Sequence, residues 1–143
     1  MNNSVSVLVD TNVLVDFVAG RSPYHVNADR LFALAFDGSV SIHVSASCLV
    51  TFAYVIRKYI GKPAIPEALQ KLFQATQIVP VDSAVVEQAL VSDFEDFEDA
   101  VENFAAQAFD IKTIITRNPK DFKTSSLEVL EPDAFIKKYH TES

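Results

Sequence analysis

The sequence predicts a three-layer α/β domain with a central, mostly parallel sheet, and three observations predict it. Apolar runs of strand length alternate along the chain with segments of helical periodicity. Two runs, Val5–Val9 and Thr113–Ile115, are mostly β-branched and apolar, as in strands covered on both faces. The first run stops at Asp10-Thr11-Asn12, residue types that open helices, so a carboxylate stands at the carboxyl end of a central strand. Ligands bind at that edge of open α/β sheets.

The elements follow in order. After the helix opened by Asp10, Gly20-Arg21-Ser22-Pro23 is a break. Residues 24–37 place Ala28, Leu31, Phe32 and Ala35 on one helical stripe, and Gly38 ends the helix at C′. Residues 39–44 alternate, which predicts a strand with one polar face. Ser45-Ala46-Ser47 caps a helix over 47–60, with Leu49, Phe52, Ala53 and Ile56 facing the core and Ser47, Thr51, Tyr54 and Lys58 on a more polar side. A helix over 66–77 turns Leu69, Leu72 and Phe73 inward. Residues 78–81 form a short strand that Pro80 confines to an edge or an end. Asp82-Ser83 begins a helix through Val91, and the acidic run Asp93–Asp99 leads into another carrying Val101, Phe104, Ala105 and Ala108. A strand over 112–116, a strand over 127–130 and a helix begun by Glu131-Pro132-Asp133 complete the chain. We read residues 1–143 as one domain, without repeat or linker.

Composition narrows the function. The chain has 143 residues and a net charge of −7, so no overall basic field holds nucleic acid by counterion release. A polyanionic ligand would need positive charge from elsewhere, and a divalent metal held by carboxylates supplies it. The single cysteine, Cys48, excludes an internal disulfide and a multi-cysteine metal site. The N-terminal Met-Asn-Asn-Ser lacks a basic region ahead of an apolar one, and no apolar run approaches the ~20 residues of a membrane span. A reducing cytoplasm is the expected compartment.

Three polar groups follow strands or open helices: Asp10 with Asn12, the acidic run ending at Asp99, and Thr116-Arg117-Asn118 with Asp121. Carboxylates paired on one sheet edge make an oxygen-donor site of the kind Mg²⁺ or Mn²⁺ prefers. The plain alternative for Asp96 and Asp99 is helix capping, because they are spaced as N-cap and N3 and carboxylates favour a helix N-terminus.

Leu8–Asp16, Asp96–Val101 and Ile115–Phe122 resemble the three signature stretches of PIN domains, a family that includes the VapC-like toxins of bacterial toxin–antitoxin pairs. The resemblance spans nearly the whole chain. It implies about five parallel strands flanked by helices, and an endoribonuclease dependent on Mg²⁺ or Mn²⁺ that leaves a 3′-hydroxyl and a 5′-phosphate. By resemblance Asp10 and Asp99 match the first and third acidic positions and hold the metal. Asn12 matches the polar residue that orients the first carboxylate, and Asn118 falls at the fourth position. The second position, a glutamate in most members, is occupied by Thr51, and residues 47–58 contain no acid. Glu102, one turn after Asp99 on the same face, and Asp121 are the candidates to compensate, with Asp96 beside them. Arg117, Lys58 and Lys120 are candidate phosphate anchors. The partners implied are RNA, a small antitoxin protein and a second copy of the chain. Two other readings stay open: a degenerate PIN-like domain that binds RNA or protein without cutting, and a phosphotransfer domain with nucleophilic Asp10. Asn12 counts against the latter, since haloacid-dehalogenase enzymes carry a second acid there.

Overall fold

The computed structural model describes residues 4–142, with side chains through Tyr139. Five parallel strands make one sheet in the order β3-β2-β1-β4-β5. They are β1 (Val5–Val9), β2 (Val40–Ser45), β3 (Gln77–Val79), β4 (Thr113–Ile115) and β5 (Glu128–Leu130). Around them run α1 (Thr11–Ala19), α2 (His25–Phe36), α3 (Ala46–Val55), α4 (Ile65–Ala75), α5 (Ser83–Leu90), α6 (Phe97–Ala108) and α7 (Pro132–Glu142).

The side-chain period of two divides β1 between two cores. Val7 and Val9 join Val40, Ile42, Val44 and Ile115 beneath α1, α2, α3 and α7. Leu8 and Ile114 join Val79 and Phe122 against α5 and α6. The sheet is therefore the middle of three layers. On the first face Phe17 of α1 stacks on Phe32 of α2, with ring centroids 3.9 Å apart and planes within 2°.

The helix ends follow local chemistry. Gly20 takes a left-handed φ of 66° and its N–H bonds the Asp16 carbonyl; Gly38, at φ 86°, ends α2 where the sequence predicts. Asp110 adopts φ 56° after α6, and the N–H of buried Ile111 reaches back to the Ala106 carbonyl at 2.9 Å. That tight exit delivers the chain directly into β4.

Three expectations need correction. The polar face of β2 is present but covered: His43 and Ser45 are buried, because α5 and α6 pack on the second face of the sheet as well. Phe73 does not point inward; it is 64% exposed while Ala68 and Leu72 of α4 are buried. The helix after β2 ends at Val55 and tightens into a 3₁₀ turn over Ile56–Lys58. The short third strand does lie at the sheet edge, as Pro80 requires. Among the described residues no helix is long and apolar enough to cross a membrane.

Phe32 is fully buried and carries the α1–α2 stacking contact, so Phe32→Ala should lower the unfolding free energy by about 4 kcal/mol, read from the shift of a urea denaturation midpoint.

Candidate active site

Strand order puts β1 in the centre, with β2 and β3 on one side and β4 and β5 on the other. Between β1 and β4 the chain departs in opposite directions. After β1 it enters α1, packed in the first core; after β4 it enters a turn whose Phe122 packs in the second. A crevice opens where the two connections part.

Register fills that crevice. Val9 pairs with Ile115, and the ladder continues as the Asp10 N–H bonds the Ile115 carbonyl at 3.0 Å. Asp10 and Thr116 therefore stand side by side. The Thr116 hydroxyl donates to Asp10 Oδ2 at 2.8 Å, and the Thr11 N–H donates to Oδ1 at 2.7 Å. Both oxygens of Asp10 are thus oriented. The residue predicted to orient it, Asn12, does not: its carbonyl accepts from Arg21 Nη2, and among the described residues its side chain makes no bond to Asp10. Thr116, the residue that does the orienting, was visible in the sequence only through its place directly after an apolar strand.

The other acids arrive from α6. This helix must end at the amino edge of the sheet to feed β4, so its ~18 Å length sets its first turn at the carboxyl edge. Asp96 caps it, its Oδ1 accepting from the Asp99 N–H at 2.9 Å. Asp99 and Glu102, three residues apart, share one face. One carboxylate oxygen from each of Asp10, Asp99 and Glu102 lies within 4.8 Å of the other two. Glu102 is fully buried, and neither of its oxygens has a hydrogen-bond partner among the described residues.

Such crowding shows in the proton affinities. Burial, then the charges of Asp10, Asp96, Asp121 and Glu98, push Asp99 up to about 7. Burial, with Asp10 and Asp99 beside it, pushes Glu102 well above the usual carboxylate range. An all-oxygen donor set with a desolvated, unpartnered carboxylate fits a hard divalent cation.

The remaining predicted residues separate into two groups. Asp96, Asp99, Lys120 and Asp121 line one cavity of about 180 Å³, so Lys120 does stand beside the acids. Asn118 is near as well: its N–H bonds Thr116 Oγ1 at 3.2 Å, and it lines a neighbouring cavity with Asp16, Tyr24 and Arg117. Arg117 is engaged elsewhere. Its Nε lies 2.9 Å from Asp16 Oδ2, as an ion pair without hydrogen-bond geometry, and its guanidinium sits 3.9 Å over the Tyr24 ring. Arg21 grips the other oxygen of Asp16 at 2.8 Å. Burial raises the Asp16 carboxyl, and the two guanidiniums offset that only in part. Lys58 is exposed in the 3₁₀ turn after α3 and lines neither of these two cavities. Thr51 does reach the first turn of α6, where its hydroxyl donates to Glu98.

Acids gathered at the switch point of a five-stranded parallel sheet define an α/β protein with an oxygen-donor site. The chain belongs to the PIN domain family, whose profile matches residues 6–120. It is 27% identical over 144 residues to Ribonuclease VapC1 of Aquifex aeolicus, covering 97% of this chain and 99% of that one. Among solved structures it is similar to Mycobacterium tuberculosis VapC20, described as a sarcin-ricin loop cleaving toxin, with TM-score 0.70 and 19% identity over 86% of this chain and 98% of the other. A toxin–antitoxin complex from Klebsiella pneumoniae contains a chain of the same fold, with TM-score 0.65 and 23% identity over 88% and 97% of the two chains.

Folded, metal-free protein holds the Asp99 proton to about pH 7, whereas the unfolded chain releases it near pH 4. The stability this difference supplies is complete below pH 4 and is lost as the pH rises through 7. Melting temperatures of metal-free protein from pH 4.5 to 8 should therefore fall more steeply for wild type than for Asp99→Asn; parallel curves would contradict the assignment.

Removing Asp16 leaves two partly buried guanidiniums unpaired and frees the loop that carries Thr116. Asp16→Ala should cost about 3 kcal/mol by chemical denaturation.

Proposed function

We propose that the chain is a divalent-metal-dependent endoribonuclease, the toxin of a toxin–antitoxin pair, acting in the cytoplasm as one PIN domain over residues 1–143. The observation that carries this reading is the convergence of Asp10, Asp99 and Glu102 at the sheet switch point. Membership of the PIN family supports it, as does the near end-to-end match to a relative named as a ribonuclease.

Asp10, Asp99 and Glu102 would hold Mg²⁺ or Mn²⁺. When bound, such a cation would supply the positive charge to neutralise an RNA phosphate and to acidify a water for its hydrolysis, which would leave a 3′-hydroxyl and a 5′-phosphate. Thr116 and the Thr11 N–H fix the aim of Asp10 throughout. Asn118, its N–H held by Thr116 Oγ1, and Asn12, at the start of α1, stand at the same carboxyl edge of the sheet. Lys120 lines the cavity beside Asp99 and would meet a phosphate there, together with Lys123, which pairs with Glu95. Arg117 serves the site by holding its loop to Asp16.

Two surfaces suit protein partners. Val50 and Tyr54 on α3, and Leu90 with the following Val91 at the end of α5, are largely exposed apolar residues, the composition suited to contact with a second copy. A groove of about 720 Å³ beside Phe17, Phe36 and Leu72 would accept an apolar segment of an antitoxin.

Thr51 at the usual glutamate position favours a second reading, a non-catalytic PIN-like domain that binds RNA or protein. Cleavage separates the two. Purified protein with 1–5 mM Mn²⁺ or Mg²⁺ (about the range of free cellular Mg²⁺ and above) should cut single-stranded or structured RNA, and EDTA should stop it. Asp10→Asn and Asp99→Asn should each lower the rate about a hundredfold or more. Cutting that survives both substitutions would reject the assignment, and no cutting with any RNA would favour the second reading.

A further inference from the structure

The helix that supplies an acid in most PIN domains here supplies Thr51, and the fate of that threonine is informative. We infer that Glu98, tethered to Thr51, is the fourth carboxylate of the site, delivered from α6 instead of α3; this rests on the reading of the Asp10–Asp99–Glu102 group as a cation centre. Thr51 Oγ1 donates to Glu98 Oε2 at 2.5 Å, joining residues 47 positions apart in the sequence. The bond is part-buried and uses one oxygen of Glu98; among the described residues the other oxygen has no hydrogen-bond partner. Glu98 immediately precedes Asp99 in the first turn of α6, so its tether also sets how that turn meets α3.

Glu98 also stands one helical turn before Glu102, on the same face of α6. Yet Glu98 is not one of the three acids whose oxygens lie within 4.8 Å of each other. It belongs around them, where a carboxylate accepts hydrogen bonds from the waters that Mg²⁺ and Mn²⁺ retain. Full burial of Glu102, with both oxygens unpartnered among the described residues, is the independent sign that this assembly is built for a cation. A threonine at position 51 is then not a vacancy: its hydroxyl captures an acid from the neighbouring helix.

A bond that merely fastened α6 to α3 would need only an acceptor on residue 98. Glu98→Gln keeps that acceptor and removes the charge, so it separates fastening from charge supply. Calorimetric titration of the full chain with MnCl₂ should give a Kd about tenfold weaker for Glu98→Gln than for wild type. The metal-free variant should melt no lower than wild type, because a repelling charge has gone. Thr51→Val, which keeps the charge but cuts its tether, should weaken binding by a smaller factor, and the exchange Thr51→Glu with Glu98→Gln should restore it. Affinity within twofold of wild type in Glu98→Gln would overturn the proposal. Asp10→Asn distinguishes the two levels: if it abolishes Mn²⁺ binding while Glu98→Gln leaves it intact, only the role of Glu98 fails. If Asp10→Asn also binds normally, the cation centre itself is wrong and Glu98 falls with it.

Discussion

Mutual repulsion among desolvated carboxylates is the constraint on which the rest of this structure depends. Asp10, Asp99 and Glu102 are brought together as like charges, and Glu102 is fully buried with no hydrogen-bond donor to relieve it among the described residues. Without a cation the group answers by holding protons, which is why Asp99 and Glu102 bind them so firmly. On the reading proposed above, a divalent cation would turn the same crowding into affinity, since the carboxylates are already brought together.

Only a rigid frame can sustain that arrangement. Parallel pairing of β1 with β4 sets Asp10 against Thr116 by register, and the hydroxyl then fixes the carboxylate. The direct exit of α6 into β4, through left-handed Asp110, sets the height of Asp99 and Glu102 against the sheet. The loop that carries Thr116 is pinned by Arg117 on Asp16 and Tyr24. On its other side, Ser125 Oγ donates to Oδ1 of buried Asn103, fastening the later part of the same loop to α6. Two separate cores, one per face, back every one of these elements.

Much of this was legible in the residues, and what was not has a common cause. Apolar runs and caps located all five strands, because strand burial on both faces leaves a strong local pattern in Val5–Val9 and Thr113–Ile115. The polar face expected of β2 is there, but its burial was not legible, because alternation reports residue type and cannot report which helices cover the second face. Phe73 misled in the same way: hydrophobicity marks a residue that prefers burial, not one that obtains it. In the site, Asp10 and Asp99 could be named from local grammar and family resemblance, and Glu102 from helical spacing. The bond by which Thr116 orients Asp10, and the bond between Thr51 and Glu98, were not legible because each joins residues far apart in the chain, 106 and 47 positions. Arg117 read as a phosphate anchor because nothing local tells that Asp16, on another element, holds it.

The electrostatics also explain how a chain of net charge −7 could handle a polyanion. Long-range attraction is missing, so positive charge has to be focused at one point, with Lys120 beside it. Anomalous diffraction from crystals grown with Mn²⁺ tests that idea most directly. The account predicts a peak about 2.2 Å from oxygens of Asp10 and Asp99, on the side of Glu102. A map with no peak there at millimolar Mn²⁺ and neutral pH, or with its peak elsewhere on the molecule, would contradict it.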